Sequence, residues 1–184
     1  MPYQPDATVI VIGDCSSEAQ TLRLILENLG CKTDFSPAGN PIDFLTILNA
    51  LPGSCRIVII CAHGDTNGLV FGEFSPEVDT GLLVHGSLPA RNLHLAPAST
   101  NNRIILTTAC ETGTASFAKR FLDAGAEAFL APVDFPDGED VVLFIHALLY
   151  RILIRKQSLP RTWETLNDAG FNTGLMVLSR RTAA

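Results

Sequence analysis

The stretch Ile57-Val58-Ile59-Ile60-Cys61-Ala62-His63-Gly64-Asp65 decides how this chain folds. Its first six residues are apolar without interruption, and the first four are β-branched. A strand covered on only one face alternates apolar with polar, so an unbroken run of this length predicts a strand buried on both faces. It stops abruptly at a histidine, a glycine and an aspartate. The same grammar recurs on either side. Ala7 to Ile12 runs into Gly13-Asp14, Arg103 to Ala109 into Cys110-Glu111-Thr112-Gly113, and Ala128 to Ala131 into Pro132-Val133-Asp134. Cys31 to Phe35 and Leu175 to Ser179 are weaker strand candidates.

Helical spacing fills the gaps between these runs. Leu22, Ile25, Leu26 and Leu29 lie on one face, with Ser17 and Gln20 in capping-box positions and Gly30 as the stop. Further helices are expected over residues 42–51, 115–124, 139–155 and 161–168, and a Gly-rich hairpin excursion over 67–89. Strands alternating with helices require a mainly parallel sheet with helices on both faces. The fold class is therefore α/β, a three-layer αβα sandwich. No repeat, low-complexity segment or linker divides residues 1–184, which read as one domain.

Composition narrows the function. Thirteen Lys and Arg against nineteen Asp and Glu, with a net charge of −6, speak against a nucleic-acid partner, since a phosphate backbone rewards clustered cations. The longest apolar candidate, Val141 to Ile154, is interrupted by His146 and Arg151 and falls short of the roughly 18 residues of a membrane span. The start of the chain has neither a basic region nor an apolar signal core, so a cytoplasmic location is expected. Five cysteines at irregular spacing do not form a disulfide framework.

Ligands of open parallel sheets bind at the carboxyl ends of the strands. Neither a dinucleotide fingerprint, a phosphate loop nor a Gly-x-Ser-x-Gly elbow is present there. A receiver domain would need an aspartate where His63 stands. What remains is Cys110 at one strand end and His63 at another. The start of the helix that follows Cys110 would favour the thiolate, and His63 would exchange the proton. The amides of Gly64 and Cys110 would then bear on a tetrahedral oxyanion.

These residues resemble the caspase-like (clan CD) cysteine peptidases. The caspase histidine lies about 50 residues before the cysteine, and Cys110 follows His63 by 47. Thr108-Ala-Cys-Glu-Thr-Gly113 is similar to the Ser-Ala-Cys-x-Thr-Gly signature of bacterial CHAT domains. Phe121-Leu-Asp-Ala-Gly125, Phe129-Leu-Ala-Pro-Val-Asp134 and the helix carrying Phe144 and Tyr150 extend the likeness over about residues 56–179. Two departures stand out. Ala131 occupies a place where CHAT domains often have Trp, and the caspase Gln-Ala-Cys-Arg-Gly is absent.

The resemblance implies peptide-bond hydrolysis, with Cys110 as nucleophile, His63 as general acid and base, and no third side chain. It also implies protein or peptide substrates; without the partner modules that often accompany CHAT domains, the chain is expected to be either an isolated effector or one whose regulatory partners are separate chains. The family builds part of its pocket for the residue before the cleaved bond from the end of the first strand. Asp14 stands there and Asp134 is a second candidate, which implies a basic residue; capping of the next helix is the plainer role for Asp14. Asp134, Asp137, Glu139 and Asp140 could complete that pocket or hold Ca²⁺ but lack the EF-hand spacing, and acids at a helix start are the simpler account.

Cys61-x-His63 has no second pair at zinc spacing, so neither metal nor cofactor is expected. His146 reads as a hydrogen-bonded core residue, and His85 and His94 as solvent-facing. Two other readings remain open. One is a catalytically silent interaction module on the same fold. The other is a different Cys-dependent α/β amidohydrolase, disfavoured because Thr108 fills the first glycine place of that nucleophile turn.

Overall fold

The computed structural model describes residues 5–171 and 176–180. Its elements in chain order are β1 (Ala7–Ile12), α1 (Ser16–Asn28), β2 (Thr33–Ala38), α2 (Pro41–Asn49), β3 (Ile57–Cys61), β4 (His63–Asp65), β5 (Gly68–Val70), β6 (Ser87–Leu88), β7 (Ile104–Thr107), α3 (Ala115–Asp123), β8 (Ala128–Pro132), α4 (Gly138–Leu153), α5 (Leu159–Asp168) and β9 (Met176–Arg180). Six strands form one sheet in the order β2-β1-β3-β7-β8-β9. All neighbours are parallel except β8 and β9. The expected sandwich is present.

Every residue of β1, β3, β7 and β8 is buried, which is what their unbroken apolar runs require. Alternate residues serve two cores. Ile10, Ile12, Val58, Ile60, Ile105 and Phe129 face α2, α3 and the hairpin, meeting Phe44, Leu48, Phe117 and Phe121. Val9, Val11, Ile57, Ile59, Leu106 and Leu130 face the other way, towards Leu22 and Leu26 of α1, Phe144 and Leu148 of α4, and Leu166 of α5.

Several local expectations change. The box of Ser17 and Gln20 does not form: α1 begins at Ser16 behind Cys15, with no side-chain cap. Gly30, at φ +89°, closes the turn after that helix as expected. β2 lies at Thr33–Ala38, later than residues 31–35. In the expected final strand over 175–179, residue 175 lies outside the described residues, and the strand observed is Met176–Arg180. His146 is exposed on α4, not buried in the core, because the buried positions of that helix are Val141, Phe144, Ile145, Leu148 and Leu149. His85 and His94 are exposed. Among the described residues, no helix is long and apolar enough to cross a membrane.

The excursion begins earlier than its glycines suggest. His63–Asp65 is already the first strand of a separate antiparallel sheet, β4-β5-β6. Asp65 anchors it: Oδ1 accepts from the N–H groups of Asn67 and Gly68, and Oδ2 from the Ser87 hydroxyl at 2.8 Å. The chain therefore leaves the main sheet at His63 in a fixed direction.

Candidate active site

The β3–β7 ladder runs from Ile57 opposite Ile104 to Ile60 opposite Thr107. Its contacts continue past the last formal pair. The Thr108 N–H donates to the Ile60 carbonyl at 3.0 Å, and the Ala62 N–H to the Thr108 hydroxyl at 3.4 Å. His63 and Cys110 each stand three residues beyond that last pair. The two segments touch there. A Cβ placed on Gly64 would overlap the Cys110 carbonyl oxygen and lie 2.9 Å from the Cys110 nitrogen. Gly64 is needed for this close approach, not for an unusual φ.

The turn carrying Cys110 is tied on both sides. The Thr112 hydroxyl donates to the Ala109 carbonyl at 2.6 Å. The N–H groups of Glu111 and Gly113 donate to the Asp134 and Pro132 carbonyls at 3.2 and 2.7 Å, fixing the turn to the end of β8. Glu111 sits at φ +57°, in the left-handed region, so the turn stores some strain at the site. Of the four residues Cys-Glu-Thr-Gly, the bonds account for the threonine, whose hydroxyl closes the turn.

α3 starts at Ala115, five residues beyond Cys110 and as expected from the helix over 115–124, and is capped by the Thr114 hydroxyl. A helix end acts only over its first turn, so Cys110 gains little from it. Burial pushes the half-buried Cys110 thiol above its usual range. Its own N–H pulls the other way, and the carboxylates of Glu111, Glu18 and Asp134 push it further up. Cys110 therefore rests as a thiol at neutral pH.

His63 and Asp14 meet across the mouth of the site. Gly13, at φ +66°, turns the chain after β1, and the Asp14 Oδ1 lies 3.1 Å from the His63 Nε2, both side chains being well exposed. Asp14 is not the helix cap that its position first suggests. Cys15, the next residue, is half-buried and receives the backbone N–H of His63 on its sulfur. Burial, with Glu18 and Asp14 adding to it, raises the Cys15 thiol to about 11. Cys61 is buried on the α1 side of the sheet, where desolvation holds its thiol strongly protonated.

Sequence reasoning missed Cys15 and Glu18. Glu18, on the first turn of α1, raises the thiols of Cys15, Cys61 and Cys110 alike, which places its carboxylate beneath the site. The available signal was position: both residues closely follow the carboxyl end of β1.

Three hollows surround the strand ends. One of about 510 Å³ lies between α1 and α4 and is lined by Glu18, Glu139 and His146. One of about 220 Å³ is lined by Asp65, Arg91, Glu111 and Thr114. A third, of about 340 Å³, lies beside Gly13, Phe35 and Phe71. Asp14 and Asp134 line none of these three. Asp134 is exposed in the loop after β8, between the exposed Val133 and Phe135.

No protein-family model matches the sequence, and no curated protein matches it. Solved structures do match the fold. An inactive zymogen of a C11 protease from Parabacteroides distasonis aligns at a TM-score of 0.56 and 11% identity, over 98% of this chain and 63% of that one. The Arg-specific cysteine proteinase gingipain R aligns at 0.59 and 13%, over 96% and 46%. The Saccharomyces cerevisiae separase–securin complex aligns at 0.57 and 11%, over 98% and 12%. The chain thus spans less than two thirds of each of these neighbours. At such identities the likeness is one of fold: the sheet and its covering helices match the caspase-like cysteine protease architecture.

Proposed function

We propose that this chain is a cysteine endopeptidase of the caspase-like fold, CHAT-like in its Cys110 turn, working through His63 and Cys110. The observation that carries this reading is the shared level of the two residues on adjacent strands, with Gly64 pressed against the Cys110 backbone. The fold neighbours are cysteine proteases, which supports the same reaction class.

In the proposed reaction the His63 Nε2–H donates to Asp14, leaving the Nδ1 lone pair to take the Cys110 proton. Asp14 is then a positioning residue that also steadies the imidazolium. The thiolate adds to the scissile carbonyl, and the amides of Gly64 and Cys110 receive the oxyanion. His63 returns the proton to the leaving amine, and water releases the acyl group from the sulfur. Raising the Cys110 thiol suits such a site, because proton transfer is then confined to the moment when substrate and base are aligned.

A basic residue before the cleaved bond fits the surrounding charge. Asp14 lies at His63, and Glu18, Glu111 and Asp134 all act on Cys110. A bound Arg or Lys side chain would offset these carboxylates and ease ionisation of the nucleophile. Which carboxylate receives the cation is the finer part of the proposal, with Asp14 and Asp134 as first candidates. Regulation by separate protein chains is proposed on the same footing, supported by the separase neighbour being a complex with securin.

The test is a panel of fluorogenic peptides varied at the residue before the cleaved bond, run on the wild type and on Cys110→Ala. Turnover of Arg or Lys peptides that vanishes in the variant supports the proposal. If no peptide in the panel gives Cys110-dependent turnover, the silent interaction module becomes the better reading.

A further inference from the structure

Asp14, Cys15 and His63 offer a carboxylate oxygen, a thiol sulfur and an imidazole nitrogen that all lie within 4.8 Å of one another. The Asp14 Oδ1 and His63 Nε2 are already 3.1 Å apart. Two such donors on a tetrahedral zinc ion, with bonds of about 2.0–2.1 Å, stand roughly 3.3 Å from each other. The exposed side chains of Asp14 and His63 can close onto a shared ion with little rearrangement. Cys15 sits at a fixed depth behind them, held by the His63 backbone N–H.

We propose that Asp14, Cys15 and His63 form a zinc site that arrests the candidate dyad by occupying the His63 Nε2. Thiolate and imidazole together select zinc over calcium or magnesium, which prefer oxygen. Three protein ligands leave a fourth position for water. The expectation that the chain holds no metal rested on Cys61, whose side chain faces the opposite core. The sulfur that completes the set comes from the turn between β1 and α1, 48 residues before His63 in sequence, and the β1–β3 pairing brings the ends of those two strands side by side.

Binding releases one proton, from the Cys15 thiol; Asp14 enters as carboxylate and His63 as neutral imidazole. The arrest follows from the ring's two nitrogens. With the Nε2 lone pair on zinc, the neutral ring carries its proton on Nδ1 and has no lone pair left for Cys110. The regulatory half of the proposal rests on the peptidase reading; the metal site itself does not.

The test titrates the whole reduced chain with Co²⁺ and then displaces it with Zn²⁺. One Co²⁺ per chain with a thiolate-to-cobalt charge-transfer band is expected. The band should vanish in Cys15→Ala and Cys15→Ser, and affinity should fall at least tenfold in Asp14→Asn and His63→Ala. It should persist in Cys110→Ala and Cys61→Ala. Survival of the band without Cys15, its loss with Cys110 or Cys61, or no binding at all overturns the site. Zinc should slow peptide turnover at least tenfold relative to the metal-free wild type, and far less in Cys15→Ala relative to its own metal-free rate. Turnover that ignores zinc despite the Co²⁺ pattern overturns the arrest. The Co²⁺ pattern in a protein that cleaves no peptide upholds the site and defeats the peptidase reading.

Discussion

His63 and Cys110 stand three residues beyond Ile60 and Thr107, the last pair of the β3–β7 ladder, so a separation of 47 residues in sequence becomes side-by-side placement in space. The whole ladder carries the same offset, Ile57 opposite Ile104 included. A slip of one residue in that pairing would turn every side chain of the slipped strand to the opposite core as well as misalign the two residues. The packing of both sheet faces therefore holds the candidate dyad together.

Gly64→Ala probes that placement directly. The added methyl would meet the Cys110 carbonyl and the Ala109 backbone, neither of which is a flexible side-chain end. The expected outcome is a stability loss of about 1–3 kcal/mol in a urea melt. Cys110-dependent turnover should fall by at least about a hundredfold, because the same contact displaces a proposed oxyanion donor. Unchanged turnover would remove Gly64 from the site.

The Cys110 thiol should react slowly at neutral pH. Its folded-state ionisation lies above the usual thiol value of 9.0, so the thiolate fraction grows only as pH rises past that point. Alkylation at Cys110, followed by mass spectrometry across pH, should show a midpoint above 9.0. Glu111→Gln and Glu18→Gln each remove a charge that pushes the thiol up, and should each lower the midpoint, speeding alkylation by roughly two- to threefold at a given pH.

Asp14→Asn separates the two proposed duties of Asp14. If it positions His63 through the 3.1 Å contact, kcat should fall by about 10- to 100-fold with KM nearly unchanged for all peptides. If it receives a basic side chain, KM should rise for Arg and Lys peptides alone.

Thr112→Val tests the turn. The change deletes the 2.6 Å bond from the Thr112 hydroxyl to the Ala109 carbonyl and leaves a buried acceptor unpaired. A loss of about 1–3 kcal/mol is expected in thermal or urea unfolding. Glu111→Gly should act in the opposite sense, raising stability by up to about 1 kcal/mol, because glycine adopts φ +57° without strain.

Much of the architecture was legible along the chain because burial on both faces leaves a local mark. The runs at residues 7–12, 57–62 and 128–131 hold a single polar residue, Thr8, and 103–109 carries an apolar centre at Ile104–Leu106; each run became a strand of the main sheet. Helices were legible from their apolar spacing but not from their caps. Ser17 and Gln20 have the form of a box, yet the chain folds back at Gly13 and starts α1 behind Cys15. His146 misled for a related reason. An apolar helix need not bury every residue, and the buried face of α4, at Val141, Phe144, Ile145, Leu148 and Leu149, leaves position 146 outside.

The amino-acid sequence by itself determined the α/β class, the strand ends and the identity of His63, Gly64 and Cys110 as the residues to watch. These are local properties, set by hydrophobic period and by which side chains end each run. Only the tertiary structure decided what surrounds them. Strand order brings Asp14 and Cys15, from the turn after β1, beside His63 and sets Glu18 near three thiols. Charge and burial act through space, so the ionisation of Cys110, the partner of His63 and the triad of possible metal donors follow from neighbours that the linear order does not specify.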